Sequence, residues 1–312
     1  MVAAIRPPEA LIPRRNGTIS FNAASPPVFN PNATITPTYP DTGRNNNQGL
    51  EALTASRDGK YLYTMLQSST IQEGGKNTST RYNTRLLKYK LKKGGADLEA
   101  EYIVQLPVLK TGWIAAQSEI KYISKNQFLV LSRDGAAGHG QKDSESIYRN
   151  ADIIDVSKAT NIKNEKYDAV DGAVANTKGE LNKDIKPAEY CPWLSYNNNT
   201  QLNRFGLHNG GPQDARLLNE KWESLALVPV AKKFRTKGEG KEHYLITFSD
   251  NDFITQNGNF SLFPSQMQFS DKATLGYYNG GKNKYSDASG FNLDTQILVF
   301  KVRLPKGAKP SF

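Results

Sequence analysis

Apolar residues alternate with polar ones in three separated stretches of the chain, and the three share one plan. In Trp222-Glu223-Ser224-Leu225-Ala226-Leu227-Val228-Pro229-Val230 an acid precedes an apolar run. A basic, Gly-containing turn follows, and then His243-Tyr244-Leu245-Ile246-Thr247-Phe248 ends on Ser249-Asp250-Asn251-Asp252. The outline occurs twice earlier. Glu51-Ala52-Leu53 leads through Asp58-Gly59 into Tyr61-Leu62-Tyr63-Thr64-Met65-Leu66, and Glu119-Ile120-Lys121-Tyr122-Ile123 leads through Lys125-Asn126 into Phe128-Leu129-Val130-Leu131. Short runs of period two bounded by turn residues predict strands, and Asp-Gly between two of them predicts a hairpin. Each copy reaches a third run, at Arg85–Leu91, Ala151–Val156 and Gln296–Val302.

A repeated strand–turn–strand–loop–strand unit is the pattern of a β-propeller blade. The expected fold is therefore all-β, a single propeller domain over 1–312 with blades at about 49–110, 112–187 and 219–304. Glu101–Leu106 reads as a fourth, outer strand of the first blade. Residues 1–48, rich in Pro, Asn and Thr, form an irregular lead-in, with Ile5–Pro13 read as the tail of a strand and a following loop. Residues 163–187 are expected to be an exposed polar connection, and the one short helix is expected at Asp214–Leu218. Closed propellers typically have 4–8 blades. With three, the chain is expected to be the C-terminal portion of a longer protein; closure by oligomerisation and a covering N-terminal segment are the alternatives. A full propeller would be a monomer, and this shorter chain leaves an oligomer open.

Composition narrows the function. The chain has 312 residues, 38% of them hydrophobic, which allows a sizeable core. No apolar run approaches the ~20 residues of a membrane span, so no membrane partner is expected. The first residues lack the apolar core of a signal peptide. The single cysteine, Cys191, can form no intrachain disulfide and is read as a buried or loop thiol. Asn16, Asn32, Asn77, Asn198 and Asn259 head Asn-X-Ser/Thr sequons, which permit secretion as a glycoprotein without demonstrating it. The net charge of +10 attracts anions. The basic residues are scattered, and the densest runs, Lys90-Leu91-Lys92-Lys93 and Lys232-Lys233-Phe234-Arg235, sit in predicted turns, where solvated charges are the plainer reading. No motif interleaves them with aromatics, so nucleic acid is not expected, and the charge agrees with a small anionic substrate.

The first strand of a propeller blade runs beside the central channel, and Glu51, Glu119 and Glu223 sit at or near the start of that strand in their copies. Converging carboxylates repel unless they bind a cation or share protons, and oxygen ligands suit Ca²⁺ or Mg²⁺. The alternative is that each caps backbone N–H groups and repeats because the fold repeats. Ser132-Arg133-Asp134-Gly135 and Ser249-Asp250-Asn251-Asp252 end second strands. Asp134, Asp250 and Asp252 can ligate a metal or position water there, and Arg133 can clamp a phosphate oxygen; an Asx-turn is the plainer reading of the same residues. His208, flanked by Arg204 and Asn209, lies in a Gly-rich loop suited to anion binding or proton transfer, or to a satisfied loop histidine. The loop Asp134–Gly140 opens no predicted helix and is not read as a P-loop. No Gly-X-Ser-X-Gly or His-Glu-X-X-His supports a serine hydrolase or a zincin.

Several longer motifs resemble one known family. They are Asn45-Asn46-Asn47-Gln48-Gly49-Leu50-Glu51, Ala116-Gln117-Ser118-Glu119-Ile120, Arg204-Phe205-Gly206-Leu207-His208-Asn209-Gly210-Gly211, Asn219-Glu220-Lys221-Trp222-Glu223-Ser224-Leu225 and Ser249-Asp250-Asn251-Asp252-Phe253-Ile254-Thr255. They resemble the phytase-like family, "esterase-like activity of phytase", and its fungal members above all. The resemblance implies a β-propeller and phosphoester hydrolysis, with secreted full-length members carrying a signal peptide and further blades. The leading reading is a metal-dependent phosphoesterase. Glu51, Glu119, Glu223 and Asp134 are its candidate Ca²⁺ ligands, and Glu223, Asp250, Asp252 and His208 its candidate catalytic groups. Arg133, Arg204 and Asn209 are the candidate substrate contacts. A calcium-dependent lactonase-like propeller and a non-enzymatic secreted binding propeller are the rivals, because one fold hosts all three.

Overall fold

A computed structural model describes residues 4–21, 35–231, 234, 242–250 and 295–304, and the backbone alone of 258–263, 266–270 and 273–274. The architecture is all-β, with several antiparallel sheets and little helix. A small ribbon pairs β1 (Arg14–Arg15) with β2 (Thr18–Ile19). The first large sheet runs in chain order through β3 (Leu50–Ala55), β4 (Tyr61–Leu66), β5 (Asn83–Lys92) and β6 (Gly95–Gln105). The second does the same through β7 (Ala116–Ser124), β8 (Gln127–Arg133), β9 (Arg149–Asp155) and β10 (Glu189–Ser195). The third joins β11 (Ala226–Pro229), β12 (Glu242–Phe248) and, across a long connection, β16 (Ile297–Arg303). Within that connection β13 (Gly258–Phe263) pairs with β14 (Gln266–Ser270) and β15 (Ala273–Thr274).

The period of two explains how the sheets stack. Successive side chains on a strand point to opposite faces. On β8, Phe128 and Val130 join Tyr63, Met65 and Leu86 of the first sheet, while Leu129 and Leu131 join Trp222 and Leu245 toward the third. The run Phe128–Leu131 is continuously apolar because both of its faces are covered. Tyr63 and Phe128 meet edge to face, 4.8 Å between centroids. Trp222 is fully buried and donates its indole N–H to the Asn219 carbonyl at 3.0 Å; burial of a large apolar side chain stabilises by about 1.5–3 kcal/mol.

The first strands of the first two sheets lie side by side. The Leu53 N–H donates to Glu119 Oε1 (3.4 Å), the Tyr122 N–H to Thr54 Oγ1 (3.1 Å), and Gln117 Nε2 to the Met65 carbonyl (3.0 Å). Ser118 Oγ donates to the Trp222 carbonyl at 2.7 Å, which draws the segment before β11 against β7. The residues that open each sheet are thereby gathered at one end of the fold.

Several expectations are corrected. Residues 9–12 form a 3-10 turn, Glu9–Leu11, with Ala10, Leu11 and Ile12 buried, and not the tail of a strand. Asp214–Leu218 is not helical: Asp214 Oδ1 accepts from the Arg216 N–H (2.8 Å) and the chain pairs with His208 instead. The short helices are α1 (Glu165–Asp168) and α2 (Asn199–Leu202), capped by Asn164 and Asn198. The stretch 163–187 is not simply exposed, because Val174 and Ile185 bury against Ile103 and Ile162. The fourth strand of the second sheet falls at Glu189–Ser195, past residue 187, and Cys191 is exposed on it.

An ionic group wholly inside the protein fixes that stretch to the first sheet. Arg85, Glu73 and Glu101 are all fully buried. Arg85 bonds both oxygens of Glu73 and donates to Glu101 Oε1 (3.1 Å), the Tyr167 carbonyl (3.1 Å) and the Gly172 carbonyl (3.3 Å). Glu73 also accepts from the Val174 N–H (2.8 Å) and Thr70 Oγ1 (2.7 Å), so it is the carboxylate that balances Arg85. Glu101 is pushed up to about 8, by burial first and also by a hydrogen bond with the Asp168 carboxyl, against the opposing pull of Arg85. Glu101 Oε2 is closed to solvent, and Glu101 is the acid of this group that keeps its proton. The folded state therefore holds this proton up to about pH 8, whereas the unfolded chain releases it near the ordinary carboxyl value of about 4.3. Between those values the native state binds more protons, so stability falls as pH rises and levels off above the folded value. Thermal melts from pH 4.5 to 8.5 should show this decline, and Glu101→Gln, which cannot titrate, should flatten it. An identical slope in the variant would assign the effect to other groups.

Candidate functional site

The site is built at the gathered ends of the three sheets. Arg133 closes β8, and the turn after it is fixed by Asp134, whose oxygens accept from Ser146 Oγ (2.6 Å) and the Ile147 N–H (2.6 Å). The Gly-rich loop then doubles back. Gly138 has φ +129°, and a Cβ there would lie 2.8 Å from the Leu218 carbonyl oxygen, so only glycine lets the loop press against 218–220. That contact places Glu220, whose Oε1 accepts from the Ala136 N–H at 2.7 Å.

Arg133 thereby meets two acids of the next segment. Its Nη2 bonds Glu223 Oε1 at 2.8 Å, and Nη1 lies 3.8 Å from Glu220 Oε1. Glu223 is held by its own N–H, which donates to the Phe248 carbonyl (3.1 Å) at the end of β12. Glu51, on β3, reaches the same group from the first sheet. Its carboxyl is raised above the ordinary glutamate value, by burial first and then by repulsion from Glu223, while Arg133 and Lys221 pull it back. Two of the three repeated glutamates are thus near enough for one to shift the other, with Arg133 and Lys221 opposing that shift.

The other candidates are placed as follows. Glu119 accepts from the N–H groups of Leu53 and Ile120, at 3.4 and 2.8 Å, and acts across the seam between the first two sheets. Its carboxyl is raised by burial, and those backbone bonds and Lys121 oppose the shift. Asp134 is buried with both oxygens occupied by its own loop. His208 has Nδ1 on the Gly210 carbonyl (2.7 Å) and Nε2 on Asp214 (2.9 Å), so both ring nitrogens serve the loop. Asn209 is buried and bonded both ways to the backbone of Ser146. Arg204 is exposed and bonded to Gln201 (2.7 Å). Asp250 is exposed next to the group, its N–H donating to the Lys221 carbonyl at 2.7 Å. Asp252 lies outside the described residues. Among the described residues, no three His, Cys, Asp or Glu side chains are grouped so as to hold a metal ion.

Glu220 and Lys221 were not singled out by the sequence pattern, because they precede the alternating run and carry no period of their own. Their one signal is position, three and two residues ahead of the repeated glutamate.

Comparison with known proteins agrees with the motif resemblance. The family model described as "Phytase-like: Esterase-like activity of phytase" matches residues 5–253. A protein of Arthroderma benhamiae described as an "uncharacterized secreted protein" is 48% identical over 273 residues, covering 84% of this chain and 53% of that protein. The chain spans about half the length of the curated relative it matches. No solved structure matches it.

Proposed function

Since the chain belongs to the phytase-like family, we propose that it is a metal-dependent phosphoric ester hydrolase of propeller architecture, acting outside the cell on an anionic phosphate ester. In this reading the three sheets are successive blades, and the gathered ends of their first strands face the channel. The secreted description of the Arthroderma relative and the sequons support the location.

One observation carries the reading: Arg133 holds Glu223 at 2.8 Å, and Glu51, its carboxyl raised by burial and by Glu223, lies near the same guanidinium. A carboxylate pair that Arg133 and Lys221 offset only in part can still take a hard divalent cation, and oxygen donors favour Ca²⁺. Glu51 and Glu223 would hold the ion, with Glu220 beside Arg133, and Asp250 and Asp252 later in the chain, as further acids. When bound, Ca²⁺ supplies charge neutralisation for the phosphoryl group and an acidified water. Arg133 orients Glu223 and presents N–H groups to phosphoryl oxygens, and Lys221 adds positive charge on the same side. Glu119 contributes by holding β3 against β7, which sets the separation of the two ligands.

The test is inorganic phosphate release from phytate and from an aryl phosphate, with excess Ca²⁺ or with a calcium chelator. Release is expected with Ca²⁺ and is expected to vanish on chelation. No release from either substrate refutes the hydrolase reading, and equal release in chelator refutes the metal. Hydrolysis of a neutral lactone in place of both phosphates would select the lactonase rival.

A further inference from the structure

A second feature of this end of the fold has no role in the carboxylate pair. Between the first and second sheets lies a recess of about 120 Å³, lined by Gln67, Arg81, Gln117, Ser118 and Arg133 among others, and by no acid. At ~30 Å³ for each liquid water, it holds on the order of four waters or one small tetrahedral ion.

Arg81 sits just ahead of β5, and among the described residues its guanidinium has no hydrogen-bond or carboxylate partner. Its Nε is closed to solvent and unbonded. Burial pulls its proton affinity below the ordinary arginine value, with no acid to oppose the shift. Arg133 is tied to Glu223 through Nη2, yet its Nε is likewise buried and unbonded. A guanidinium N–H closed to solvent and left unbonded is costly; Arg81, half-buried, and Arg133 each keep one at this recess, which points to a partner the protein itself does not supply. Gln117 adds the opposite sense. Its Nε2 donates to the Met65 carbonyl at 3.0 Å, which fixes the amide orientation, and its Oε1 is buried without a donor. The recess therefore offers two guanidinium groups and one amide acceptor. Anions with only acceptor oxygens leave the amide unserved. Hydrogen phosphate, or the singly protonated form of a phosphate monoester, carries oxygens for the arginines and one P–O–H for the amide.

We propose that the recess walled by Arg81, Arg133 and Gln117 is an oxyanion subsite that takes a phosphate group. It deepens the hydrolase reading: Arg133 is common to both, so a phosphate seated here lies beside the Glu51–Glu223 pair.

The test is calorimetric titration of the full chain with inorganic phosphate, in chelator so that no calcium phosphate forms. One site per chain is expected in the parent. Arg81→Gln is expected to weaken it by roughly tenfold or more, the loss of one charge-assisted contact. Arg81→Lys should restore part of the affinity, and Arg57→Gln, in the exposed β3–β4 turn, should leave it unchanged. Absence of binding in the parent overturns the subsite however the variants fold. Undiminished binding in a folded Arg81→Gln, judged by its melt, overturns it also. Phosphate binding without ester hydrolysis would leave the subsite standing and remove the hydrolase. Hydrolysis with an unaltered KM for an aryl phosphate in Arg81→Gln would do the reverse.

Discussion

Glu223→Gln is expected to lower calcium-dependent phosphate release by about 100-fold or more. The substitution keeps the shape of the side chain and lets the amide oxygen still accept from Arg133, so the 2.8 Å contact need not be lost. What disappears is the negative charge. With it go, in the proposed reaction, one of the two carboxylates assigned to the cation and a group that could accept a proton from an attacking water. Losses of 10²–10⁴ are ordinary when a general base or a metal ligand is neutralised. Glu119→Gln is the informative partner. The Glu119 oxygen accepts backbone N–H bonds, and an amide oxygen does the same, so activity should change little. Kinetics of both variants with an aryl phosphate, alongside their melting curves, separate chemistry from folding. Activity within about threefold of the parent in Glu223→Gln would take this carboxylate out of the reaction.

Arg85→Met is expected to cost about 3–5 kcal/mol of stability, the toll of leaving a buried charge without its partner. That is a large share of the roughly 5–15 kcal/mol that holds a domain together. The methionine replaces the stem of Arg85 but strands the Glu73 carboxylate, which has no exposed surface. It also releases the Tyr167 and Gly172 carbonyls that Arg85 ties down. Denaturant unfolding should show a lower midpoint. The double variant Arg85→Met with Glu73→Gln should recover part of the loss, because no uncompensated charge then remains. A single variant as stable as the parent would show that water reaches this group in solution.

The contrast between these two residues shows what a sequence reveals. Strands follow from period two, and the three glutamates stand out because their surroundings repeat. That repetition led to Glu51 and Glu223, which lie near enough for one carboxylate to shift the other. It could not separate Glu119 from them, since the three share one local pattern and differ only in what the neighbouring sheet offers. Arg85 was invisible for the opposite reason. In Arg85-Leu86-Leu87-Lys88-Tyr89-Lys90 it reads as one more cation on a solvated face, and its acids come from residue 73 and the next strand, at 101. Arg81 lies in an aperiodic connection, where only the three-dimensional recess marks it. Asp214–Leu218 has helical composition, but the Asp214 side chain turned back on its own backbone and competed with the helix.

The outer strand of the second sheet, β10, has a property that bears on how such molecules coexist at high concentration. Its edge is interrupted where the register breaks between Cys191 and Leu194, a gap that contains Pro192, which has no N–H to donate. An incoming strand would find no continuous row of donors and acceptors to copy. The fold thus carries its own safeguard against edge-to-edge zippering on that side, and crowding alone gives neighbouring copies no template there for fibrous growth.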